Sequence, residues 1–500
     1  MTKKILCILL VVIILIPLTV SCKKRNTTGD NGVGTSANKA DTVAGDHLEK
    51  RDYGGKIFRI LSREDTKYEF EGNSTGSIVE QKTLERNLTI QDRFNVSIEM
   101  ITRPGAWSNQ QTFITYVQNN IMSGADSDSQ INMVSTHAGY IGSMVLSGYA
   151  TDLRELPNLD LTREWWEPNF YNNASINDKT YFAIGDINLT LYERIEVVLF
   201  NKELAESHGI QDLYATALDG KWTFATLYQI AKDFGGSKVS GEELYAVAMN
   251  CHATRSLVNS WNISYTQKNG DTGRYELYLS GNQKLYDGYN RFYNLMYGTV
   301  SHNPFTDSSE LGTQAPMFAK NQVLFWFQYL QATDELKKLN MSTEYGILPY
   351  PLWDEAQYDS VGYISSVADN HNGIFVPSNL TQDDYDMTGM IIEALCMYSR
   401  SSVVDAYYEQ NIKYRTVLDP RVVDVLDIVR QGLRFTFAQA WSVELNYLNS
   451  YYSRAWNNAN YNGGVPDREL TTQINKLESS QKKLLENLYE NYDALLTAKQ

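Results

Sequence analysis

The period of hydrophobic and polar positions changes several times in the first third of the chain. The runs 56–61 and 131–135 are mostly apolar, and apolar residues alternate with polar residues over 95–100, which predicts three strands. Apolar side chains recur at helical spacing over 77–94 and 112–122, which predicts two helices. Strands that alternate with helices favour an α/β layer with a mostly parallel sheet.

The same alternation returns further along the chain. Strands are expected at 197–200, 245–249 and 323–327, and helices at 202–208 and 223–234. Thr223 is the predicted N-cap of the helix that follows it. The run 323–327 is apolar throughout, as is typical of a strand buried on both faces. Apolar positions at helical spacing over 471–499 predict a C-terminal helix.

The N-terminus indicates export. Lys3 and Lys4 precede an apolar run that ends at Val20, which predicts a signal peptide over 1–21 because the run is too short to span a membrane comfortably. The residues before and including Cys22 resemble a bacterial lipobox, with Thr19 where a leucine is usual. That resemblance implies lipidation of Cys22; the alternative is an ordinary secretory signal. Residues 22–55 are polar and predict a disordered tether.

Composition narrows the possible partners. The net charge of -15 does not suit nucleic acid or an anionic membrane surface. Beyond the signal peptide and the lipobox, the cysteines are Cys251 and Cys396, whose apolar neighbours favour two buried thiols over a disulfide. The sequence has no zinc-ligand spacing, phosphate-binding glycine motif or nucleophile elbow, so we expect no metal and no cofactor.

Aromatic residues are the positive chemical signal. The chain has 34 tyrosines and 9 tryptophans, many of them in polar, loop-like surroundings. Flat aromatic rings stack on the C–H faces of sugars, while Asp, Asn, Glu and Arg bond the hydroxyl rim. Any single tryptophan is more often core packing than a ligand contact. The abundant carboxylates also leave glycoside hydrolysis open.

Several short segments resemble extracellular solute-binding proteins of carbohydrate ABC importers (family 1). The chain carries GDINL at 185–189, VLFNKEL at 198–204, DGKWT at 219–223, YGILPYP at 345–351 followed by Asp354-Glu355 and Gln357-Tyr358, and Thr75-Gly76 with Glu85-Arg86-Asn87. Leu352 stands where the family usually has lysine, and Trp353 follows it. Each match is weak alone; their order and spacing together are specific.

The resemblance implies an α/β fold of type II, periplasmic-binding-protein-like, with two hinge-linked lobes around a ligand cleft. Two α/β stretches separated near 185–195 agree with it. The expected organisation is a signal peptide at 1–21, a tether at 22–55, an N-terminal lobe at 56–190, a C-terminal lobe at 191–360, a return to the N-terminal lobe at 361–420, and helices packing on the C-terminal lobe at 421–500.

By the same resemblance, the protein is a lipid-anchored receptor at the extracellular face of the cell membrane. It captures a sugar or oligosaccharide, acts as a monomer, delivers its ligand to ABC permease subunits and catalyses no reaction. The alternatives are a secreted glycoside hydrolase with a cleft carboxylate pair and a receptor for a non-sugar solute, such as a peptide or polyamine.

Candidate ligand-binding residues come from loops at strand ends and from hinge segments. They are Trp107, His137 and Tyr140 from one lobe, Asp186 and Asn188 from the crossover, Trp261 and Trp326 from the other lobe, and Tyr358, Asn370 and Asn372 from the return segment. The aromatic members are expected to stack on sugar rings, and Asp and Asn to bond hydroxyls.

Overall fold

The computed structural model covers one compact unit that begins at Val43. It describes residues 43–124, 129–235, 238–239, 242–249, 253–302, 312–409, 419–450, 452 and 470–498. The predicted signal peptide, Cys22 and Cys251 lie outside the described residues. Cys396 is described, and its buried thiol donates to the carbonyl of Trp165 at 3.2 Å.

The strands, numbered in chain order, are β1 Lys56–Arg63, β2 Val96–Arg103, β3 Met133–His137, β4 Glu196–Asn201, β5 Lys238–Val239, β6 Glu242–Glu243, β7 Tyr245–Met249, β8 Thr266–Lys268, β9 Tyr275–Leu277, β10 Ser301–His302, β11 Val323–Tyr329, β12 Tyr345–Leu348 and β13 Asn372–Phe375.

The helices are α1 Ile78–Phe94, α2 Gln110–Met122, α3 Ile141–Leu146, α4 Pro168–Ala174, α5 Thr190–Glu193, α6 Lys202–Ser207, α7 Leu213–Leu218, α8 Phe224–Phe234, α9 Ala253–Ser260, α10 Gln283–Gly298, α11 Gln314–Ala319, α12 Ala332–Lys338, α13 Glu355–Ser360, α14 Gln382–Ser399, α15 Asp405–Tyr408, α16 Arg421–Gln431, α17 Phe437–Ala440 and α18 Leu470–Ala498. Short 3-10 turns cover Glu64–Glu69, Trp107–Asn109, Ala138–Tyr140, Leu153–Glu155 and Leu448–Ser450, and Arg400–Val404 forms a π turn.

The first sheet has four strands in the order β13-β3-β1-β2. β1 runs parallel to β2 and β3, whereas β13 runs antiparallel to β3, with Asn372 opposite His137. The carboxyl ends of β1, β2 and β3 and the amino end of β13 therefore lie at one edge. The predicted strands and the two helices between them are confirmed, and Ser77 caps α1 through a capping box.

The second sheet has five strands in the order β10-β7-β11-β4-β12. β4 runs antiparallel to β11 and β12, and β11 and β10 run parallel to β7. Every residue of β11 is buried, which confirms the prediction from its unbroken apolar run. The predicted cap also holds, because the Thr223 side chain accepts from the N–H of Thr226 at the start of α8.

Within the described residues, three chain segments connect the two lobes. The first precedes β4, and its Ile195 pairs with Val367 of the returning segment. The third follows α16, and its Leu433 pairs with Ser365. Two α/β lobes joined in this way match the fold class predicted from the sequence.

Residues 43–55 pack against the first lobe, although their composition predicted a tether as far as residue 55. Leu48 is 7% exposed, and Arg93 on α1 donates to the carboxylate of Asp46 at 2.6 Å. Tyr53 donates to the carboxylate of Asp386 at 2.7 Å. These contacts are mostly polar and link distant residues, so the local composition carries no sign of them.

The C-terminal helix α18 contacts both lobes, whereas the expected organisation placed it on the C-terminal lobe alone. The hydroxyl of Tyr492 donates to the carbonyl of Ile176 in the first lobe at 2.8 Å. One position further on, Asp493 accepts from Arg274 beside β9 at 2.6 Å. Across the described ranges, no helix is both long enough and apolar enough for a membrane span.

Candidate ligand-binding site

Charged and aromatic groups from both lobes meet where the edges of the two sheets come together. His137 ends β3 and is 3% exposed. Burial, then the positive charge of Arg63, lower the pKa of His137 well below its usual value, with further contributions from His371, Arg255 and Arg194. Arg63 ends β1, whereas Arg255 lies on α9 after β7. Crevices outside the carboxyl ends of strands are where α/β proteins commonly bind ligands.

An aromatic cluster forms one side of this region. The ring of Trp107 lies 5.1 Å from His137 between centroids, and His137 stacks on Tyr140 at 5.3 Å. Tyr140 is buried and donates to the carbonyl of Gly105 at 2.7 Å. Trp107 remains 39% exposed, so part of its ring is available to a ligand. Tyr447, from the C-terminal part of the chain, meets Trp107 at 5.6 Å.

Both histidines of the region are neutral hydrogen-bonding groups. Nδ1 of His137 accepts from the N–H of Gly139 at 3.1 Å, which leaves Nε2–H as a donor. Burial lowers the pKa of His371 to about 4. Its Nδ1 lies 2.8 Å from the carbonyl of Ala368 and therefore carries the proton, so Nε2 is an acceptor. That Nε2 is buried and has no partner among the described residues.

Two arginine–aspartate ion pairs lie in this region, and in each pair the positive and negative charges balance. Arg63, 2% exposed, donates to Asp65 at 2.9 Å and to the carbonyl of Asn370 at 3.5 Å. Its buried Nε has no partner within the described ranges. Arg255 forms an ion pair with Asp369 of the returning segment. This pair connects the second lobe to the chain segment that runs back to the first lobe.

The arrangement combines an exposed aromatic face with buried donors and acceptors. Arg63 Nε and His137 Nε2 supply N–H groups, and His371 Nε2 supplies a lone pair. Such a set can hold a ligand that is apolar on its faces and rich in hydroxyls at its rim. In the part of the chain that is described, no three His, Cys, Asp or Glu side chains cluster as metal ligands.

Asn188 and Asn372 lie beneath this region as part of its support. The amide of Asn372 donates to Glu69 at 2.6 Å and to Thr66 at 2.8 Å, and its backbone N–H donates to Thr190. The carboxylate of Glu69 also accepts from the N–H and the hydroxyl of Thr190. The network joins the turn after β1, the crossover and β13. Asn188 is fully buried, and its amide donates to Ser135 at 3.4 Å.

Asp186 and Tyr358 line two other grooves. Asp186 is buried, pairs with Arg400 at 3.1 Å and accepts from Tyr192 at the edge of a groove of about 460 Å³. Tyr358 lies in a groove of about 650 Å³ and donates to the carbonyl of Leu218 at 3.0 Å. The two grooves share Asn169 and Arg434 in their lining.

Trp261 and Trp326 lie in the interior of the second lobe. Trp326, in the middle of β11, is fully buried, and its indole N–H donates to Gln314 at 3.1 Å. Trp261 is also fully buried and packs edge-on against Trp353, with ring centroids 5.6 Å apart. The structure thus brings Trp107, His137, Tyr140 and Asn370 together, places Asn188 and Asn372 in the buried network beneath them, and separates Asp186, Tyr358, Trp261 and Trp326 from them.

Sequence reasoning missed several side chains of the site. They are Arg63, Asp65, Arg255, Asp369 and Tyr447. Arg63 ends a strand, so the rule that selected His137 would have found it had β1 been extended to its full length. Tyr447 carries no local signal, because its role depends on contact with a residue far away in the sequence.

Solved structures of similar fold exist, although no protein-family model matches the chain and no curated protein matches it. A sugar transporter protein from Rhizobium etli, in an open conformation, is 12% identical with a TM-score of 0.55, covering 88% of this chain and 99% of that chain. A cyclo/maltodextrin-binding protein in complex with maltotetraose is 12% identical with a TM-score of 0.53, covering 88% of this chain and 97% of that chain.

A third neighbour carries a different ligand. UgpB from Mycobacterium tuberculosis, in complex with glycerophosphocholine, is 14% identical with a TM-score of 0.52, covering 89% of this chain and 99% of that chain. The chain has the two-lobed fold of these solute-binding proteins. At this identity the likeness establishes the fold and leaves the ligand to be argued from the site.

Proposed function

We propose that this protein is an extracellular receptor that binds a sugar or oligosaccharide between its lobes and delivers it to an ABC permease. The single observation that carries the proposal is the partly exposed indole of Trp107, 39% accessible, at the meeting edge of the two sheets. A large aromatic ring left open among buried polar groups is the surface that a pyranose face requires.

The fold alone does not choose a sugar. Two of the neighbours described above are named as a sugar transporter and a maltodextrin-binding protein, whereas the third holds glycerophosphocholine. What favours a sugar here is that two guanidinium groups of the region are already paired with carboxylates, Arg63 with Asp65 and Arg255 with Asp369. A site for an anionic ligand would leave its arginines available to the anion.

The same pairing favours a receptor over a glycoside hydrolase. Hydrolysis needs one carboxylic acid that keeps a proton and a second carboxylate that acts as base or nucleophile. Asp65 and Asp369 are each held in an ion pair by an arginine, so neither carboxylate is free to act as that base or nucleophile.

Lipidation at Cys22 would hold the receptor, as a monomer, at the outer face of the membrane beside its permease. The motif that supports this part of the proposal is the lipobox-like segment before Cys22, preceded by a basic and apolar N-terminus. Lobe closure around the ligand would then present one compact surface for docking.

Calorimetry with a panel of monosaccharides and linear oligosaccharides, followed by mass analysis of the sugar, tests the function. The proposal expects one sugar bound per chain and recovered unaltered. Shortened products would identify a hydrolase instead, and absence of binding across the panel would overturn the proposal.

A further inference from the structure

Residues 437–450 form a wall between the two lobes beside the candidate site. α17 packs against α4 of the first lobe and the turn after β3, and the hydroxyl of Ser442 donates to the carbonyl of Gly139 at 3.4 Å. The turn at Leu448–Ser450 then packs on α9 of the second lobe. Asn449 lines a small cavity there with Arg255. We call residues 437–450 the C-terminal wall.

Tyr447 is held in an unusual backbone conformation on this wall. Its φ is +56°, and that of Asn446 is +45°, so two consecutive residues other than glycine adopt the left-handed region. Such a conformation costs about 1–2 kcal/mol per residue and persists only where the surroundings impose it. The N–H of Tyr447 donates to the carbonyl of Ser442 at 2.6 Å, and its carbonyl accepts from Ser450 at 2.9 Å.

The consequence is an aromatic corner. The ring of Tyr447 meets that of Trp107 at 69°, with centroids 5.6 Å apart. Tyr447 thus meets the indole at a steep angle and covers part of it. A sugar ring stacked on the exposed part of Trp107 would therefore meet Tyr447 on that side.

The wall is supported from behind by α18, so it is not a free loop. Trp441 packs against Tyr492 at 6.2 Å, and Phe437 packs against Tyr489 at 6.3 Å. Tyr492 is bonded to the first lobe and Asp493 to the second. Displacing the wall would therefore disturb contacts with both lobes.

We propose that the C-terminal wall closes one side of the site, so that the receptor binds a linear oligosaccharide by a terminal unit, with Tyr447 as the residue that sets this restriction. The inference rests on the proposed function and adds the part of the ligand that is recognised. A receptor for internal units would need a groove open on both sides of Trp107.

The test compares a linear oligosaccharide that binds in the calorimetric panel with the soluble polysaccharide built from the same unit and linkage. Titration gives the number of protein molecules bound per polysaccharide chain. A terminal binder saturates at one protein per chain, because each chain has one end of the recognised kind. Several proteins per chain would overturn the inference.

Three variants assign the restriction to Tyr447. Removing the ring in Tyr447→Ala should raise the number bound per chain above one, whereas Tyr447→Phe keeps the ring and should stay at one. Tyr297→Ala removes an exposed tyrosine, 43% accessible, from α10 and serves as the control. An unchanged number in Tyr447→Ala would contradict the inference.

Other outcomes separate this inference from the proposed function. Binding of a monosaccharide but of no oligosaccharide would overturn the inference and leave the receptor function in place. Absence of any sugar binding would overturn both. Thermal unfolding of each variant shows whether it is folded, so that a lost signal is not mistaken for a change in specificity.

Discussion

The indole of Trp107 lies 5.1 Å from the imidazole of His137, at 51° between the ring planes. The two residues come from the ends of different strands. Their contact leaves part of the indole exposed where the edges of the two sheets come together. The candidate site is built around this pair, and Arg63 of the first lobe and Arg255 of the second lobe are near enough to lower the pKa of His137. The affinity of this site for a sugar should therefore depend on contacts between the two lobes.

The ion pair between Arg255 and Asp369 should couple ligand binding to lobe position. Arg255 is on the second lobe, Asp369 is on the returning segment, and both side chains are largely buried, at 13% and 21% exposure. Arg255→Gln or Asp369→Asn alone removes this largely buried ion pair between the two segments, so each should weaken sugar binding about tenfold or more.

A double-mutant cycle by calorimetry measures this coupling. The sugar affinity of the double variant should be no lower than that of the weaker-binding single variant, because both partners of the pair are then gone. Independent, additive losses would show that the pair does not act as a unit. Lys338→Gln, which breaks the exposed pair with Glu335 on α12, is the control.

Glu444 should make folding stability depend on pH. Both of its carboxylate oxygens are buried and have no partner among the described residues, and burial raises the pKa of Glu444 to about 7. The folded state therefore holds this proton more tightly than the unfolded state. The resulting stabilisation is fully present below about pH 4.5 and is lost as the pH rises through about 7.

Glu444→Gln removes this titration. Relative to the natural chain, its free energy of unfolding should be similar near pH 4.5 and higher at pH 8, by at most about 3 kcal/mol. Chemical unfolding across this pH range measures the difference. A difference that is constant with pH would contradict the assignment.

The contacts of α18 should restrain opening of the lobes. Tyr492 is bonded to Ile176 in the first lobe, and Asp493 is bonded to Arg274 in the second. Since neighbouring residues of one helix hold both lobes, these contacts oppose a change in the position of the lobes. Tyr492→Phe and Asp493→Asn should each expand the ligand-free chain and speed sugar release by about two- to fivefold.

Small-angle scattering and stopped-flow release measure these effects. Glu486→Gln, at an exposed position of the same helix, makes the same change of charge as Asp493→Asn without a contact to either lobe and should behave like the natural chain. Equal expansion in this control would show that the helix charge, and not the contact with the lobes, is responsible.

Cys22→Ala should separate anchoring from binding. If Cys22 is lipidated, the variant should bind sugar normally and be recovered in the soluble fraction outside the cell. Fractionation with detection of the protein measures this. Retention of the variant on the membrane would contradict the lipobox interpretation. Thr19, at the position where a lipobox usually has leucine, would then explain why the segment is not processed as a lipobox.

The sequence predicted the fold more fully than the site, for a physical reason. Strands and helices such as β1, α1 and β11 follow from periodicity, and a buried face is a local property of the pattern. Trp107 and His137 could be found because they follow strands whose ends meet at one edge. Arg63 escaped because β1 extends to it, past the predicted end at residue 61.

The remaining residues depend on contacts that no local pattern encodes. Trp326 lies in an apolar run that itself predicts a buried strand, and the structure accordingly buries it. Asn372 has the polarity of a ligand contact, yet its amide is bonded to Glu69 and Thr66. Tyr447 reaches Trp107 only through a left-handed backbone and a chain that returns between the lobes.

Calorimetric titration of the natural chain and of Trp107→Ala with the same linear oligosaccharide measures whether Trp107 forms the sugar-binding surface. One sugar should bind per natural chain, and the variant should lose about tenfold or more in affinity, because the stacking surface is removed. Tyr278→Ala, at another exposed aromatic position, should bind as the natural chain does. Unchanged sugar affinity in Trp107→Ala would contradict a sugar-binding site at Trp107.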